Sequence, residues 1–109
     1  MITKKLQKII DWFDEKLNQN YEESLQNKKE NILASSIKLS EEVWELSGEV
    51  LKFIWRARKD KLKNFSKESL EWEFADVMFS LLVLAKTMWV DINEALENKF
   101  EKIKKRGWV

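Results

Sequence analysis

Residues 73–87 read EFADVMFSLLVLAKT, and the fold turns on how that stretch is wound. At about 100° per residue, Glu73, Asp76, Ser80 and Thr87 fall along one line while almost everything else around the helix is apolar. The pattern is a polar seam on a buried helix. It predicts a third helix from Lys67 to about Trp89, with Ser66 as its N-cap.

Upstream, KLSEEVWELSGEV at residues 38–50 belongs to a long second helix expected from about Ile32 to Ala57. There Glu42, Glu45 and Glu49 fall within an arc of about 60°, flanked on one side by Leu39, Leu46, Val50 and Phe53. Roughly opposite them, Leu33, Ile37, Trp44, Leu51 and Trp55 form a second apolar stripe. Gly48, inside this helix, costs roughly 1 kcal/mol against alanine. The first helix is expected in ITKKLQKIIDWFDEKL, where Leu6, Ile9, Ile10, Phe13 and Leu17 recur at helical spacing. NQNYEESLQNKKEN reads as a polar loop or lead-in turn, and RKDKLKNF as a connection. Downstream, Asp91 and Glu94 have capping-box spacing and open a fourth helix that Gly107 would stop.

Two glycines and no proline in 109 residues leave little with which to build hairpins, while Leu, Glu and Lys dominate. The expectation is an all-α protein, a compact four-helix bundle-like domain over residues 1–109 with no sheet. Twenty basic against nineteen acidic side chains give a formal charge of +1, which argues against nucleic acid or an anionic membrane as the main partner, despite the basic KFEKIKKR. The longest apolar stretch, VMFSLLVLA, is broken by Ser80 and too short to span a bilayer, and no apolar leader follows Lys4 and Lys5, so a cytoplasmic location is expected. With no cysteine and no histidine, thiolate and imidazole chemistry is excluded, and any reaction runs on carboxylates and amines.

Glu-x-x-Glu spacing also occurs at Glu68/Glu71 and Glu94/Glu97, where a solvated face explains it. The apolar context of Glu42/Glu45 and Glu73/Asp76 is different. Buried carboxylates are costly unless paired or bound to metal, so two such seams on successive helices are expected to face each other across a cation. Oxygen ligands without imidazole or thiolate suit hard ions, chiefly Mg²⁺ or Mn²⁺, and the missing Glu-x-x-His argues against di-iron chemistry.

The order EEVWEL, a spacer of 27 residues after Glu45, EFADV, DINEAL and NKFEKIKKR resembles the MazG-like all-α nucleoside triphosphate pyrophosphohydrolases over about residues 31–106. Their Glu-x-x-Glu and Glu-x-x-Asp motif maps onto Glu42, Glu45, Glu73 and Asp76. The chain lacks the histidine that follows the Asp in the related phosphoribosyl-ATP pyrophosphohydrolases, and it is much shorter than the dimeric dUTPases. The resemblance implies Mg²⁺ on those four acids and cleavage of a nucleoside triphosphate between the α and β phosphates, giving monophosphate and pyrophosphate, in nucleotide-pool housekeeping. It also implies a homo-oligomer, a dimer or a dimer of dimers, for which the Trp44 stripe offers a face. Lys99, Lys102 and Arg106, at i, i+3 and i+7 on the fourth helix, would clamp phosphates with Asn98 beside them. A solvated basic face is the plainer account of Lys102 and Arg106. Glu41 or Glu49 would be outer-sphere or surface groups, or a base; Lys38 and Arg56 share the acid phase more weakly. Among the tryptophans, Trp12, Trp44, Trp55 and Trp72 serve packing first and base stacking second. The rival reading is a non-catalytic helical adaptor whose acid seams pair with the basic helices.

Overall fold

The structure, a computed structural model, describes residues 3–19, 25–59 and 66–107. The side chains at 14, 17–19, 25–27 and 56–59, those of Leu17 and Arg56 among them, lie outside the described residues, as do residues 20–24 of the first expected connection and 60–65 of the second, while the rest of both connections, read from the sequence as loop, is helical. Four helices run in chain order: α1 (Lys4–Gln19), α2 (Leu25–Lys59), α3 (Lys67–Thr87) and α4 (Ile92–Arg106).

Helix α2 starts at Leu25, well before the expected Ile32. Leu25–Glu30 is polar enough to read as loop, but Gln, Lys and Glu are straight-chain residues that lose little rotamer freedom in a helix, so helix propensity carries α2 back through them. The helix also runs past Ala57 to Lys59. Its 35 residues span about 52 Å at 1.5 Å per residue, which is the 52 Å long dimension of the molecule.

Local chemistry sets the ends of α3 and α4 as the sequence predicts. Ser66 Oγ accepts from the Ser69 amide at 3.0 Å, and Asp91 Oδ1 accepts from the Glu94 amide at 3.1 Å. At Gly107, φ is +83° and its amide donates to Ile103 O. Helix α3 stops at Thr87, two residues short of expectation, in a Schellman corner: the Trp89 amide donates to Lys86 O at 3.1 Å and the Val90 amide to Ala85 O at 2.8 Å. Trp89 takes the left-handed conformation there, φ +56°, where glycine is usual.

The core is formed where α3 lies between α1 and α2. Ile10, Leu82, Val83 and Ala85 are its buried members, and Phe13 packs on Phe79 with ring centroids 5.6 Å apart. Lys86 reaches Asp11 at 3.6 Å across the α1–α3 edge.

A compact four-helix bundle is not what the single chain makes. Helix α4 packs along none of the other three among the described residues, and it has no buried residue. The radius of gyration is 17.2 Å, against about 13 Å for a compact chain of this length. The accessible surface is 9142 Å², against about 6,400 Å² for a monomer of this mass. Trp44, 80% exposed, lies on an open stripe with Leu33, Ile37, Leu51 and Trp55. Among the described residues, no helix is long and apolar enough to cross a membrane.

Candidate metal centre

Packing α3 on α2 brings the two acid seams together. One carboxylate oxygen from each of Glu42, Glu73 and Asp76 lies within 4.8 Å of the others. Glu42 is 6% exposed, Glu73 half-buried, and Asp76 open to solvent. The cluster is therefore floored by protein and reachable from one side. Glu45, one turn along from Glu42, is exposed and stands outside this trio, but close enough that its charge acts on Glu73.

The cluster is under electrostatic stress. The Glu73 carboxyl is pushed above the usual carboxylate range, first by burial and then by the charges of Glu45, Asp76, Glu42 and Glu49. Glu45 is raised chiefly by the charge of Glu42. In addition, the Oε2 atoms of Glu42, Glu49 and Glu73 are buried and accept no hydrogen bond among the described residues. Three dry carboxylate oxygens without a donor are expensive to keep, and a hard divalent cation on oxygen ligands would relieve both the desolvation and the repulsion. The donor set thus fits Mg²⁺ or Mn²⁺.

Two lysines of α2 supply partial compensation. Lys38 Nζ lies 2.9 Å from Glu42 Oε1 and 3.8 Å from Glu41, and the ammonium is held above its ordinary pKa chiefly by its hydrogen bond to Glu42 and by that residue's charge. Lys52 donates to Glu49 Oε1 at 3.1 Å. Both pairs join residues of the same helix, so each acid keeps its second oxygen directed away from its lysine. Among the described residues, helix α2 thus answers the seam from within, not with the basic helices that the adaptor reading requires.

Glu41 is exposed, a surface group. Glu49, expected at the surface or in an outer sphere, is buried with an orphaned oxygen beside the trio's seam. Asn31, not singled out in the sequence, repeats the same phase two turns before Lys38, and its Oδ1 is also buried without a partner. Thr87 turns its hydroxyl onto its own helix, donating to Val83 O at 2.8 Å, and so does not extend the seam. The expected phosphate clamp is not assembled in the single chain. Asn98, Lys99, Lys102 and Arg106 are exposed on α4, which lies along neither acid-bearing helix.

Two helices that oppose carboxylate seams, with neither imidazole nor thiolate anywhere in the sequence, bring an all-carboxylate donor set together on an all-α scaffold. The chain matches the MazG nucleotide pyrophosphohydrolase domain over residues 30–107, and it belongs to that family. The matched span contains every acid of the cluster and the whole of α4. No curated protein and no solved structure matches the chain.

Proposed function

We propose that the protein is a Mg²⁺-dependent nucleoside triphosphate pyrophosphohydrolase that cleaves between the α and β phosphates and acts in nucleotide-pool housekeeping, as a homo-oligomer. The observation that carries the reading is the convergence of Glu42, Glu73 and Asp76, the two glutamates each with a buried oxygen that accepts no hydrogen bond among the described residues, in a chain of a nucleotide pyrophosphohydrolase family. Glu42, Glu73 and Asp76 would hold the metal, with Glu45 reaching in from its exposed position. Mn²⁺ would serve in place of Mg²⁺. When bound, the ion supplies Lewis acidity at the triphosphate and lowers the pKa of water.

The chain's own residues do the rest. The four acids fix where positive charge sits, and hence where a triphosphate can dock. Glu49 gains a place in this scheme: buried beside the seam, it orders the outer sphere or takes a proton from the attacking water. Glu41 stays at the rim. Lys99, Lys102 and Arg106 would neutralise phosphate oxygens, and Asn98 would donate an amide hydrogen bond.

The test is a panel of ribo- and deoxyribonucleoside triphosphates with Mg²⁺, scored for products. Pyrophosphate with the monophosphate is expected. Orthophosphate with a diphosphate, or turnover indifferent to EDTA, overturns the reading.

A further inference from the structure

We infer that Lys38 is a substrate-binding residue of the site: its ammonium shares Glu42 with the divalent ion and, once that carboxylate is committed to the ion, serves a phosphate oxygen of the triphosphate. The inference rests on the function proposed above and adds a phosphate-binding cation carried by the acid-bearing helix itself.

Lys38 stands one turn before Glu42 on α2, with Nζ 2.9 Å from Glu42 Oε1 and 3.8 Å from Glu41 Oε2. About the helix axis it lies roughly 40° from Glu42 and 20° from Glu45, on the side of the acid seam where Glu45 is exposed. The two partners differ in depth. The Lys38 side chain is 57% exposed and that of Glu42 only 8%, so the ammonium sits at the mouth of the cluster while the carboxylate belongs to its floor.

Among the described residues, no other cation pairs with Glu42, Glu73 or Asp76. Lys38 supplies the trio's counter-charge, and it does so through one oxygen: Glu42 Oε1 is on the lysine, while Oε2 is buried without a donor. A carboxylate that gives its charge to a divalent cation has little left to hold an ammonium, and the two cations repel each other. The ammonium is therefore released where it is useful. Its four-carbon stem lets it be re-aimed by rotamer changes alone, and Glu41 keeps a hold on it at the rim. Lysine binds phosphate as a point charge, which asks for no fixed fork geometry. A triphosphate at this mouth brings non-bridging oxygens to the attraction that Glu42 has given up.

Lys52 provides the contrast. It pairs with Glu49 at 3.1 Å on the same helix, but Glu49 stands outside the trio, so an ion held by the trio leaves that pair intact.

The experiment measures two affinities on Lys38→Met: Mg²⁺ alone, by titration calorimetry, and inorganic tripolyphosphate at saturating Mg²⁺. They should move in opposite directions. Freed of the competing ammonium, the site binds Mg²⁺ about five- to tenfold more tightly. Tripolyphosphate loses a charge-assisted hydrogen bond and binds about 10- to 100-fold more weakly. Lys38→Arg, which keeps a cation on a long stem, should recover most of the second loss. Lys52→Met removes the same charge from the same helix and should leave tripolyphosphate binding within about twofold at physiological salt, where exposed charges beyond about 8 Å are screened. Both affinities falling together in Lys38→Met, neither moving, or Lys52→Met reproducing the pattern overturns the inference. If Lys38→Met does not fold, Lys38→Gln is read in the same way. Turnover is scored separately. A wild type that releases pyrophosphate, with Lys38 variants that lack the crossed pattern, removes the lysine and leaves the activity. The crossed pattern in a protein that releases no pyrophosphate upholds the lysine and sinks the activity. A wild type that binds neither Mg²⁺ nor tripolyphosphate removes both.

Discussion

Replacing Glu73 by glutamine separates a metal centre from a structural cluster by the sign of its effect. Carboxylate oxygens of Glu42, Glu73 and Asp76 lie within 4.8 Å of one another. Two unit charges at that separation repel by about 3.5 kcal/mol at an effective dielectric near 20 and by about 0.9 kcal/mol in bulk water. Asp76 is exposed, which draws its pair with Glu73 toward the lower figure, and Lys38 at 2.9 Å offsets part of the Glu42 charge. Removing the Glu73 charge from the metal-free protein should therefore stabilise it by about 1–2 kcal/mol, a rise of roughly 4–10 °C in Tm for a domain of this size.

The pH dependence carries its own sign. Because folding raises the Glu73 pKa, burial first and neighbouring acids after it, the folded state keeps a proton that the unfolded chain has released. The resulting stability is fully present below the unfolded glutamate pKa of about 4.3 and is lost as pH rises through the folded value. The advantage of Glu73→Gln in EDTA should accordingly be small at acid pH and open out toward pH 7. With excess Mg²⁺ the order reverses, since the variant has lost a ligand and gains less from the ion. The assay is a thermal melt of both proteins, in EDTA and in Mg²⁺, at several pH values. A variant that melts at or below wild type in EDTA at neutral pH, with its Mg²⁺ response unaltered, would refute the reasoning.

Lys38→Met should act in the opposite direction, destabilising the metal-free protein by about 1 kcal/mol after allowance for solvent, because Glu42 loses the cation that lies 2.9 Å from its Oε1; a urea midpoint in EDTA that does not fall counts against it. Trp44→Lys, at a position 80% exposed, should cost a lone chain no more than about 0.5 kcal/mol, yet reduce the sedimenting mass; an unchanged mass removes the Trp44 stripe from the assembly. Ser66→Ala should cost about 1 kcal/mol by loss of the bond to the Ser69 amide, with no change in products, and a melt identical to wild type would show the cap to be idle.

What could be read from the sequence was what local chemistry decides. Ser66, Asp91 and Gly107 end or begin helices through groups within four residues of themselves, and each is found at the expected place. The phase of Glu42, Glu73 and Asp76 was equally legible, because 3.6 residues per turn dictates it. Burial was not. Glu49 shares the phase of Glu42, but whether its second oxygen is dry depends on how α3 lies across α2, and no count along one helix contains that. Asn31 was hidden for a different reason: it falls in a run of Gln, Lys and Glu that hydropathy assigns to loop and helix propensity to α2. The departure of α4 is the largest gap, since an amphipathic pattern states that a face must be covered and is silent about which chain covers it.

The Schellman corner at Trp89 makes angular phase the quantity that governs α4. A corner closed by two backbone hydrogen bonds transmits rotation without absorbing it, so everything after Asp91 is set like a key in a fixed barrel. One residue inserted in the first turn of α4 would turn the remainder by about 100°, replacing Lys99 and Lys102 at their bearing with other members of the helix, and doing so with composition, charge and helicity all but unchanged. Four residues would restore the bearing to within about 40° but move the cations about 6 Å along the axis. Length changes near this corner therefore act on the chain as changes of aim, and a count of helical residues would not register them.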